Sequence, residues 1–341
     1  MTRTGLVLGA GGIVGQAYHA GVLAALANDL GWDARDADVI VGSSAGSVTG
    51  ALLRLGIPPA DLAAWAVGAP LSMESDKVSA WMTDAPPEFP PFDVQSYLRG
   101  WRLPSPALVL RTARRPWAFR PSVAAMTMAP HGQIDITQHT RPLDLASSGA
   151  WPKGLYICVA RERDGARVAF GRASAPGATL ASAVAASCAI PGFFTPVTIG
   201  NVRYIDGGVH SPTNADILRR EKLDLVIVVS PMSAAAGLPR TADAPVRYAA
   251  HRRLEREIRR LEELGTKVVR FEPGRLALRA MGVNAMASDR SAEVVQEAFI
   301  EAGDIARKAK VTALLAPLVT RHSWLGLGAH PDDDPSMAVA V

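Results

Sequence analysis

The sequence contains few of the features that mark specialised classes of protein. Only two of its 341 residues are cysteines, Cys158 and Cys188, and each lies in an apolar stretch without paired spacing. This spacing argues against a disulfide framework and a cysteine zinc site, and it is typical of free thiols in a reducing compartment. We therefore expect a cytoplasmic protein, and no cluster of potential ligands calls for a metal or another cofactor.

Long apolar runs and charge of a single sign are also scarce. Apolar runs such as LDLVIVVSPM are shorter than the roughly 20 residues that cross a bilayer. Near the start, four glycines between Gly9 and Gly15 suit a loop better than a secretory signal helix. The 36 Lys and Arg are nearly balanced by 32 Asp and Glu, so no nucleic-acid partner is expected despite a pI near 9.3.

Apolar runs typical of buried parallel strands alternate with helical patterns along the chain. The runs are GLVLG (5–9), DVIVG (38–42), GLYICVA (154–160), RVAFG (167–171), VRYID (202–206), LDLVIVVS (223–230) and KVVRF (267–271). A single helical pattern covers 292–318 near the end. The alternation predicts an α/β fold in which a mostly parallel sheet is flanked by helices on both faces.

Residues 65–150 interrupt the alternation. They contain PPEFPPFD and a basic, aromatic stretch, and proline at this density cannot continue a central strand or helix. We expect one domain over residues 1–330, with 65–150 as a helical or irregular cap insertion. Residues 331–341 read as a loose tail.

The stretch VIVGSSAGSV, residues 39–48, places a GxSxG pattern between a strand and a helix. Ser44 is the central serine, Ser43 occupies the x position, and Gly42 and Gly46 flank the turn. A strained turn of this kind exposes a serine hydroxyl for attack on an ester. The pattern alone is weak evidence, and its position after a strand strengthens it.

A second motif, GAGGIVG at residues 9–15, follows the first strand and opens the first long helix. Consecutive glycines leave backbone N–H groups able to approach an oxyanion or a phosphate. The alternative is a dinucleotide fingerprint. However, the spacing Gly9-x-Gly11-x-x-x-Gly15 is one residue longer than GxGxxG, and the second strand ends in GSSAG without the ribose-binding acid.

The third motif is YIDGG, residues 204–208, in which a strand ends at Asp206 before Gly207 and Gly208. An aspartate at the carboxyl end of a strand points into the crevice where α/β proteins bind ligands. An ordinary turn aspartate is the alternative.

Together and in this order, the three motifs resemble the patatin-like phospholipases, or patatin-like lipid acyl hydrolases. AASCAIPGFFTPV, residues 185–197, is similar to the family's segment before the catalytic aspartate strand. The resemblance spans roughly residues 5–45 and 154–230. It implies a serine esterase with a Ser44–Asp206 dyad, an oxyanion hole at Gly11 and Gly12, and an acyl-lipid substrate.

The glycine loop departs from the family pattern, which reads GGGxRG or GGGxKG. Ala10 replaces the first glycine, and Val14 stands where Arg or Lys is expected. A scaffold that binds lipid or a protein partner without turnover is therefore one alternative. Acyl transfer to an alcohol, which needs the same residues, is another.

Of the seven histidines, four follow Asp206 in the order Ser, Asp, His, and none of these four occupies a strand-end loop that favours a catalytic triad. His210 is close in sequence to Asp206, His251 lies in a charged helical pattern, and His322 and His330 lie near the tail. His19, on the helix after the glycine loop, is predicted to be packed or solvated. The dyad is thus taken from the family resemblance.

The segment from Trp101 to Arg120 combines basic and aromatic residues. Such a mixture suits peripheral contact with an anionic membrane. The candidate contact residues are Trp101, Arg111, Arg114, Arg115 and Trp117. The alternative is a cap whose arginines are solvated or paired with acidic residues.

Overall fold

The computed structural model describes residues 2–75, 100–114, 116, 120–234 and 242–319. Within these ranges one sheet is covered by helices on both faces. Its strands are β1 (Thr4–Leu8), β2 (Val39–Ser43), β3 (Leu155–Arg161), β4 (Arg167–Phe170), β5 (Val197–Ile199), β6 (Val202–Asp206), β7 (Leu225–Val229) and β8 (Lys267–Phe271).

The helices account for about half of the remaining described chain. They are α1 (Gly12–Leu30), α2 (Ala45–Arg54), α3 (Pro59–Ala66), α4 (Pro106–Arg114), α5 (Pro121–Met128), α6 (Thr137–Thr140), α7 (Pro142–Ala146), α8 (Leu180–Ser187), α9 (Ala244–Glu262), α10 (Arg275–Met281), α11 (Ser291–Ala306) and α12 (Ala309–Leu315). Short 3₁₀ turns, including Gly207–Val209 and Ala215–Arg220, complete the connections.

All seven predicted strands are present, but two of them are not parallel. The sheet order is β5-β6-β3-β2-β1-β7-β8, with β4 also paired to β3. Strands β4 and β6 run antiparallel to β3, and the unpredicted β5 is antiparallel to β6. The β3–β4 and β5–β6 connections are short hairpins, whereas a parallel pair needs a crossover of a dozen or more residues.

The predicted helix over 292–318 is also wrong in one respect, because it divides into α11 and α12. Lys308 between them is extended, with ψ of 126°. The Thr312 hydroxyl donates to the Ala306 carbonyl at 2.7 Å, which satisfies one of the carbonyls left free at the end of α11. The break therefore leaves the end of α11 capped by a side chain of α12.

Alternate residues of the central strands face two different cores. Leu6 and Leu8 pack in the larger cluster with α1, α2, α8 and α11. Val7, between them, packs in a second cluster with Leu254 of α9 and Leu218 of the 3₁₀ turn. This alternation follows from the two-residue repeat of a strand and confirms the prediction of helices on both faces.

The register of β3 brings the ends of β2 and β6 together. At Ile157, β3 pairs with β2 and with β4, so these two strands lie on opposite edges of β3. At Val159, β3 pairs with β4 and with β6, which places β6 on the β2 edge. Since Ser43 pairs with Cys158 and Asp206 with Val159, the carboxyl ends of β2 and β6 meet end to end.

The described part of the predicted cap consists of the helices α4 to α7. Helices α6 and α7 pack against α8, while α5 contacts the turn that follows Asp206. The prolines of PPEFPPFD and the predicted tail lie outside the described residues. Among the helices that are described, none combines the length and apolar character needed to cross a bilayer.

Candidate active site

Ser44 occupies a strained turn between β2 and α2. It has φ of 52° and ψ of −123°, a conformation that costs an L-residue of order 1–3 kcal/mol. The turn is held in place by its neighbours: the amide of Ser44 donates to Ser187 Oγ at 2.9 Å, and Ser47 Oγ donates to the Ser44 carbonyl at 2.7 Å. Ser44 lies directly before the amino end of α2, where the helix dipole favours negative charge.

Gly42 and Gly46 allow the close approach of strand and helix on either side of Ser44. A Cβ on Gly46 would lie 2.0 Å from the Leu8 carbonyl oxygen, and one on Gly42 would lie 2.5 Å from the Gly46 carbonyl oxygen. Both distances are too short for any side chain. The flanking glycines of the GxSxG pattern are thus required by packing between β1, β2 and α2.

The glycine loop lies beside this turn because β1 and β2 are parallel neighbours, with Leu8 opposite Gly42. The amide of Gly9 donates to Val229 at 2.9 Å, and that of Ala10 donates to Pro212 at 2.8 Å. No acceptor for the amides of Gly11 and Gly12 occurs among the described residues.

The conformation of this loop explains two of its glycines. Gly12 has φ of 63°, and a Cβ there would lie 2.4 Å from the Ala285 carbonyl oxygen. Gly11 packs against Gly15, whose amide donates to the Gly11 carbonyl at 3.0 Å. The loop therefore presents unpaired N–H groups at the amino end of α1.

Asp206 ends β6 as a buried carboxylate. Its Oδ1 accepts the amide of Gly208 at 2.6 Å. Burial raises the pKa of Asp206 to about 6, while hydrogen bonds from the Ser44 side chain and the Gly208 amide oppose the rise. Gly207 has to be a glycine because a Cβ would lie 2.0 Å from the Cys158 carbonyl oxygen. Asp206 is thus a carboxyl group with a raised pKa in contact with Ser44.

A cavity of about 250 Å³ opens next to Ser44 and Gly12. Its wall is mainly apolar and is contributed by α1, α2, α3, α6, α7 and α8 together with loop residues. The apolar lining includes Ile13, Val48, Trp65, Ile136, Leu143, Val184, Ile190, Phe194 and Met286. Such a wall accommodates a hydrocarbon chain, with the polar groups of Ser44 and the α1 amino end at one position.

Sequence reasoning missed two polar residues that hold this site. Ser187 of α8 accepts the Ser44 amide and donates to the Cys158 carbonyl at 2.7 Å. Asn214 donates to Ser43 Oγ at 2.9 Å. Their partners lie 143 and 171 positions away along the chain. No local pattern marks such residues. The only signal in the sequence is that Ser187 falls in the segment resembling the family.

Three of the histidines that the structure describes, His19, His210 and His251, have partners other than Ser44 and Asp206. His19 is fully buried, as one of the two predicted alternatives requires, and burial lowers its pKa to about 3. His210 receives a hydrogen bond from Arg120 at Nε2, and burial with nearby arginines lowers its pKa to about 3. His251 pairs with Glu272. His322 and His330 lie outside the described residues.

Val14 and the two cysteines are parts of the core. The Val14 side chain on α1 is buried in the hydrophobic core. Valine at the position where the family has Arg or Lys therefore contributes apolar packing and not a charged group. Both cysteines are free and buried, and burial raises the pKa of Cys158 and of Cys188 to about 12. Neither thiol is therefore ionised near neutral pH.

These three motifs meet at one site, and the chain also matches a known family. The model of the patatin-like phospholipase family matches residues 6–219, which is more than half of the chain. The chain therefore belongs to the patatin-like phospholipase family. Membership supports a lipid acyl hydrolase function acting on a lipid substrate. A search of curated proteins gave no match.

The solved structures to which the chain is similar are distant in sequence. VipD from Legionella pneumophila is 14% identical with a TM-score of 0.41, over 89% of this chain and 67% of VipD. The type III effector ExoU is 16% identical with a TM-score of 0.33, over 90% of this chain and 54% of ExoU. ExoU in complex with SpcU, from Pseudomonas aeruginosa, is 18% identical with a TM-score of 0.34, over 93% of this chain and 57% of the matched chain. The chain thus spans just over half of ExoU and about two thirds of VipD.

Proposed function

We propose that the protein is a serine lipid acyl hydrolase that works with a Ser44–Asp206 dyad. The observation that carries this proposal is the contact between Ser44 in its strained turn and the buried carboxylate of Asp206. A carboxylate is a weak base at its ordinary pKa, and burial raises the pKa of Asp206 toward neutrality. Asp206 can thus accept the serine proton without a histidine.

In the first half of the reaction, Ser44 Oγ attacks the ester carbonyl carbon and its proton passes to Asp206. Negative charge develops on the carbonyl oxygen next to the Gly11 and Gly12 amides, which have no other acceptor among the described residues. Preorganised amides of this kind stabilise such an oxyanion. When the intermediate collapses, the carbon–oxygen bond to the alcohol breaks, and the alcohol leaves with the proton from Asp206.

In the second half, water attacks the acyl carbon of the Ser44 ester. Asp206 takes the proton of that water, and the second intermediate expels Ser44 Oγ, which recovers the proton. The fatty acid is released and the starting state returns. The apolar cavity beside Ser44 would hold the acyl chain. Its volume of about 250 Å³ lies just below the range of small-molecule pockets, roughly 300–1,000 Å³, and this small size favours one acyl chain over a whole lipid.

A fluorophosphonate probe tests this chemistry directly. We expect Ser44 Oγ to displace fluoride from phosphorus, so that intact-mass and peptide spectrometry find one adduct at Ser44 and none at Ser43. The rate of labelling should fall as the pH drops below about 6, because protonated Asp206 cannot accept the serine proton. Folded protein that takes up no label would leave the binding scaffold as the remaining interpretation.

Hydrolysis and transfer differ only in the acceptor of the acyl group. Adding a primary alcohol during turnover of a p-nitrophenyl ester and analysing the products separates them. Hydrolysis predicts free fatty acid as the main product. A new ester as the main product would make the protein an acyltransferase with the same residues.

We also propose that α4 and its flank meet the membrane that holds the substrate. Leu103 is 92% exposed, Trp101 is 44% exposed, and Val109 and Leu110 of α4 are about half exposed. Arg114 at the end of α4 is exposed beside them. Apolar side chains next to a basic group are suited to the headgroup region of an anionic bilayer.

The arginines of this segment do not all have the same role. Arg111 donates to the Asp164 carbonyl at 2.6 Å, Arg102 pairs with Glu162, and Arg120 bonds to His210. These three help to hold the cap, and Arg102 is the one among them paired with an acidic side chain, as the alternative expects. Arg114 is the exposed basic residue described on this helix, while Arg115 and Trp117 lie outside the described residues.

Vesicle sedimentation tests the membrane proposal. The wild-type protein should sediment with vesicles containing anionic lipid and should be released by salt. Arg114→Glu changes the local charge by two units, and at about 1 kcal/mol per charge this should lower partitioning roughly thirty-fold. Arg219→Glu, at an exposed arginine elsewhere, is the matched control. Equal binding by both variants, or hydrolysis of a soluble ester lost in Arg114→Glu alone, would contradict the proposal.

A further inference from the structure

Asn214 contacts the chain on both sides of the proposed dyad. The residue is fully buried, and its Nδ2 donates to Ser43 Oγ at 2.9 Å and to the Gly207 carbonyl oxygen at 3.2 Å. Ser43 immediately precedes Ser44, and Gly207 immediately follows Asp206. One side chain therefore joins the residue next to Ser44 to the residue next to Asp206.

The amide of Asn214 is held in a single orientation. Nδ2 also lies 2.6 Å from the Ser211 carbonyl oxygen, so its two hydrogens are shared among three acceptors, and Oδ1 accepts from Arg167 Nη1 at 3.2 Å. Arg167 is itself paired with Asp216. A guanidinium only donates and a carbonyl only accepts, so turning the amide over would break bonds on both sides. The side chain is a fixed bridge rather than a mobile one.

The backbone of Asn214 also favours this residue type. Asn214 has φ of 52° and ψ of 27°, in the left-handed region that asparagine tolerates better than most residues. Its own amide donates to Ser211 Oγ at 3.2 Å. The turn thus aims the side chain inward, toward the ends of β2 and β6.

Among the described strands, the sheet itself does not join the ends of β2 and β6. Strands β2 and β6 both pair with β3 on the same edge, but they meet end to end and share no ladder hydrogen bonds among the described strands. The pairing with β3 fixes each strand along its own length. This pairing does not by itself fix the distance between the two ends, where Ser44 and Asp206 lie.

We propose that Asn214 is a positioning residue that sets the separation of Ser44 and Asp206. The inference rests on the proposed dyad and adds to it the group that aligns its two members. A misplacement of about 1 Å between reacting groups can cost on the order of 10²-fold in rate. Asn214 would therefore act on turnover without touching the substrate, since it does not line the cavity.

Asn214→Gly is the most informative variant, because glycine adopts the left-handed backbone without strain. It removes the bridge to Ser43 and Gly207 together with the side-chain bonds to Ser211 and Arg167. With a soluble p-nitrophenyl ester we expect kcat to fall about 10- to 100-fold while KM changes less than about two-fold. The matched control is Lys222→Gly, which makes the same backbone change at an exposed position with φ of 50° and should leave both constants unaltered.

The pH profile separates positioning from a general loss of folded protein. Burial raises the pKa of Asp206, and the Ser44 hydrogen bond holds it down to about 6. The un-ionised Cys188 thiol also interacts electrostatically with Asp206. If Asn214→Gly separates Ser44 from Asp206, that hydrogen bond weakens, and the acid limb of kcat/KM should move to higher pH. A merely structural role would leave the limb in place.

Ser43→Ala provides a second variant that removes one acceptor of the bridge. It should lower kcat two- to five-fold, move the acid limb in the same direction by less, and add nothing in the Asn214→Gly background. Three results would overturn the inference. They are an unchanged kcat in Asn214→Gly, a lower kcat in that variant without a shift of the acid limb of kcat/KM, and an equally lower kcat in Lys222→Gly. If the Ser44→Ala variant is as active as the wild-type protein, the proposed dyad itself is overturned. The two failures are therefore distinguishable.

Discussion

Ser44→Ala is expected to lower kcat for a soluble p-nitrophenyl ester by at least about 10³-fold and to abolish fluorophosphonate labelling. Alanine keeps the shape of the turn but has no oxygen to form the acyl-enzyme. The remaining rate should come from the unpaired amides and the cavity, which still bind the ester. The measurement is steady-state hydrolysis, with circular dichroism to show that the variant is folded.

Two neighbouring substitutions make this result specific to the Ser44 hydroxyl. Ser43→Ala should keep most of its activity, within about five-fold, because Ser43 Oγ is turned toward Asn214 and away from the cavity. Ser44→Gly should be as inactive as Ser44→Ala yet more stable by about 1 kcal/mol, since glycine relieves the strain at φ of 52°. Equal loss of turnover in the Ser43 and Ser44 alanine variants would mean that the nucleophile has been misassigned.

Asp206→Asn should also lower kcat by about 10³-fold or more, because an amide cannot accept the serine proton. The change is nearly isosteric, and the carbonyl oxygen of the introduced side-chain amide can still accept the backbone N–H of Gly208. Binding of substrate should therefore be preserved, and KM should change little. A variant that retains a substantial fraction of kcat would exclude Asp206 as the base.

The wild-type pH profile supports the same test from a second direction. Asp206 must be ionised to act as a base, and burial raises its pKa to about 6. Activity should therefore be full above about pH 7 and should fall as the pH drops through about 6. An acid limb near pH 4, the range of an ordinary exposed carboxyl, would contradict the raised pKa of the buried group.

The stability of Asp206→Asn should move in the opposite direction from its activity. A carboxyl whose folded pKa is raised from 3.8 to about 6 binds its proton more tightly in the folded state. It destabilises the folded state progressively as the pH rises from about 4 to 6, and the full cost persists above that range. Removing the ionisable group should thus raise the free energy of unfolding at pH 8 by up to about 3 kcal/mol, measured by urea denaturation.

His210→Ala is the control for a hidden triad. His210 lies four residues after Asp206, but burial and nearby arginines lower its pKa to about 3, so its charge does not change near neutral pH. Its ring accepts a hydrogen bond from Arg120, which also bonds to the backbone carbonyl at this position. We expect kcat to stay within about five-fold of wild type. A collapse comparable with Asp206→Asn would replace the dyad by a triad.

Much of the site could be predicted from the sequence because its main parts are local. A strand that ends in a glycine-flanked serine, a glycine loop that opens a helix, and a strand that ends in Asp-Gly-Gly each occupy fewer than a dozen consecutive residues. Their backbone conformations follow from steric requirements, such as the close contact of Gly46 with Leu8. Parallel neighbours β1 and β2 then place the first two motifs side by side.

The direction of two strands could not be read from composition. RVAFG and VRYID are apolar and β-branched in the same way as the parallel strands, and residue content does not encode orientation. Connection length carries that information instead, because β4 follows β3 after a short turn that permits only an antiparallel hairpin. The antiparallel β6 matters for the site, since its reversed direction brings Asp206 to the end of β2.

The sequence by itself thus determined the motifs, the family and the residues proposed for the chemistry, because each depends on neighbouring positions along the chain. Only the tertiary structure decided how these residues are held. The raised pKa of Asp206 comes from burial by several elements. Ser187 and Asn214 reach Ser44 and Ser43 across 143 and 171 positions. Such contacts depend on the packing of whole strands and helices, and no short pattern in the chain specifies them.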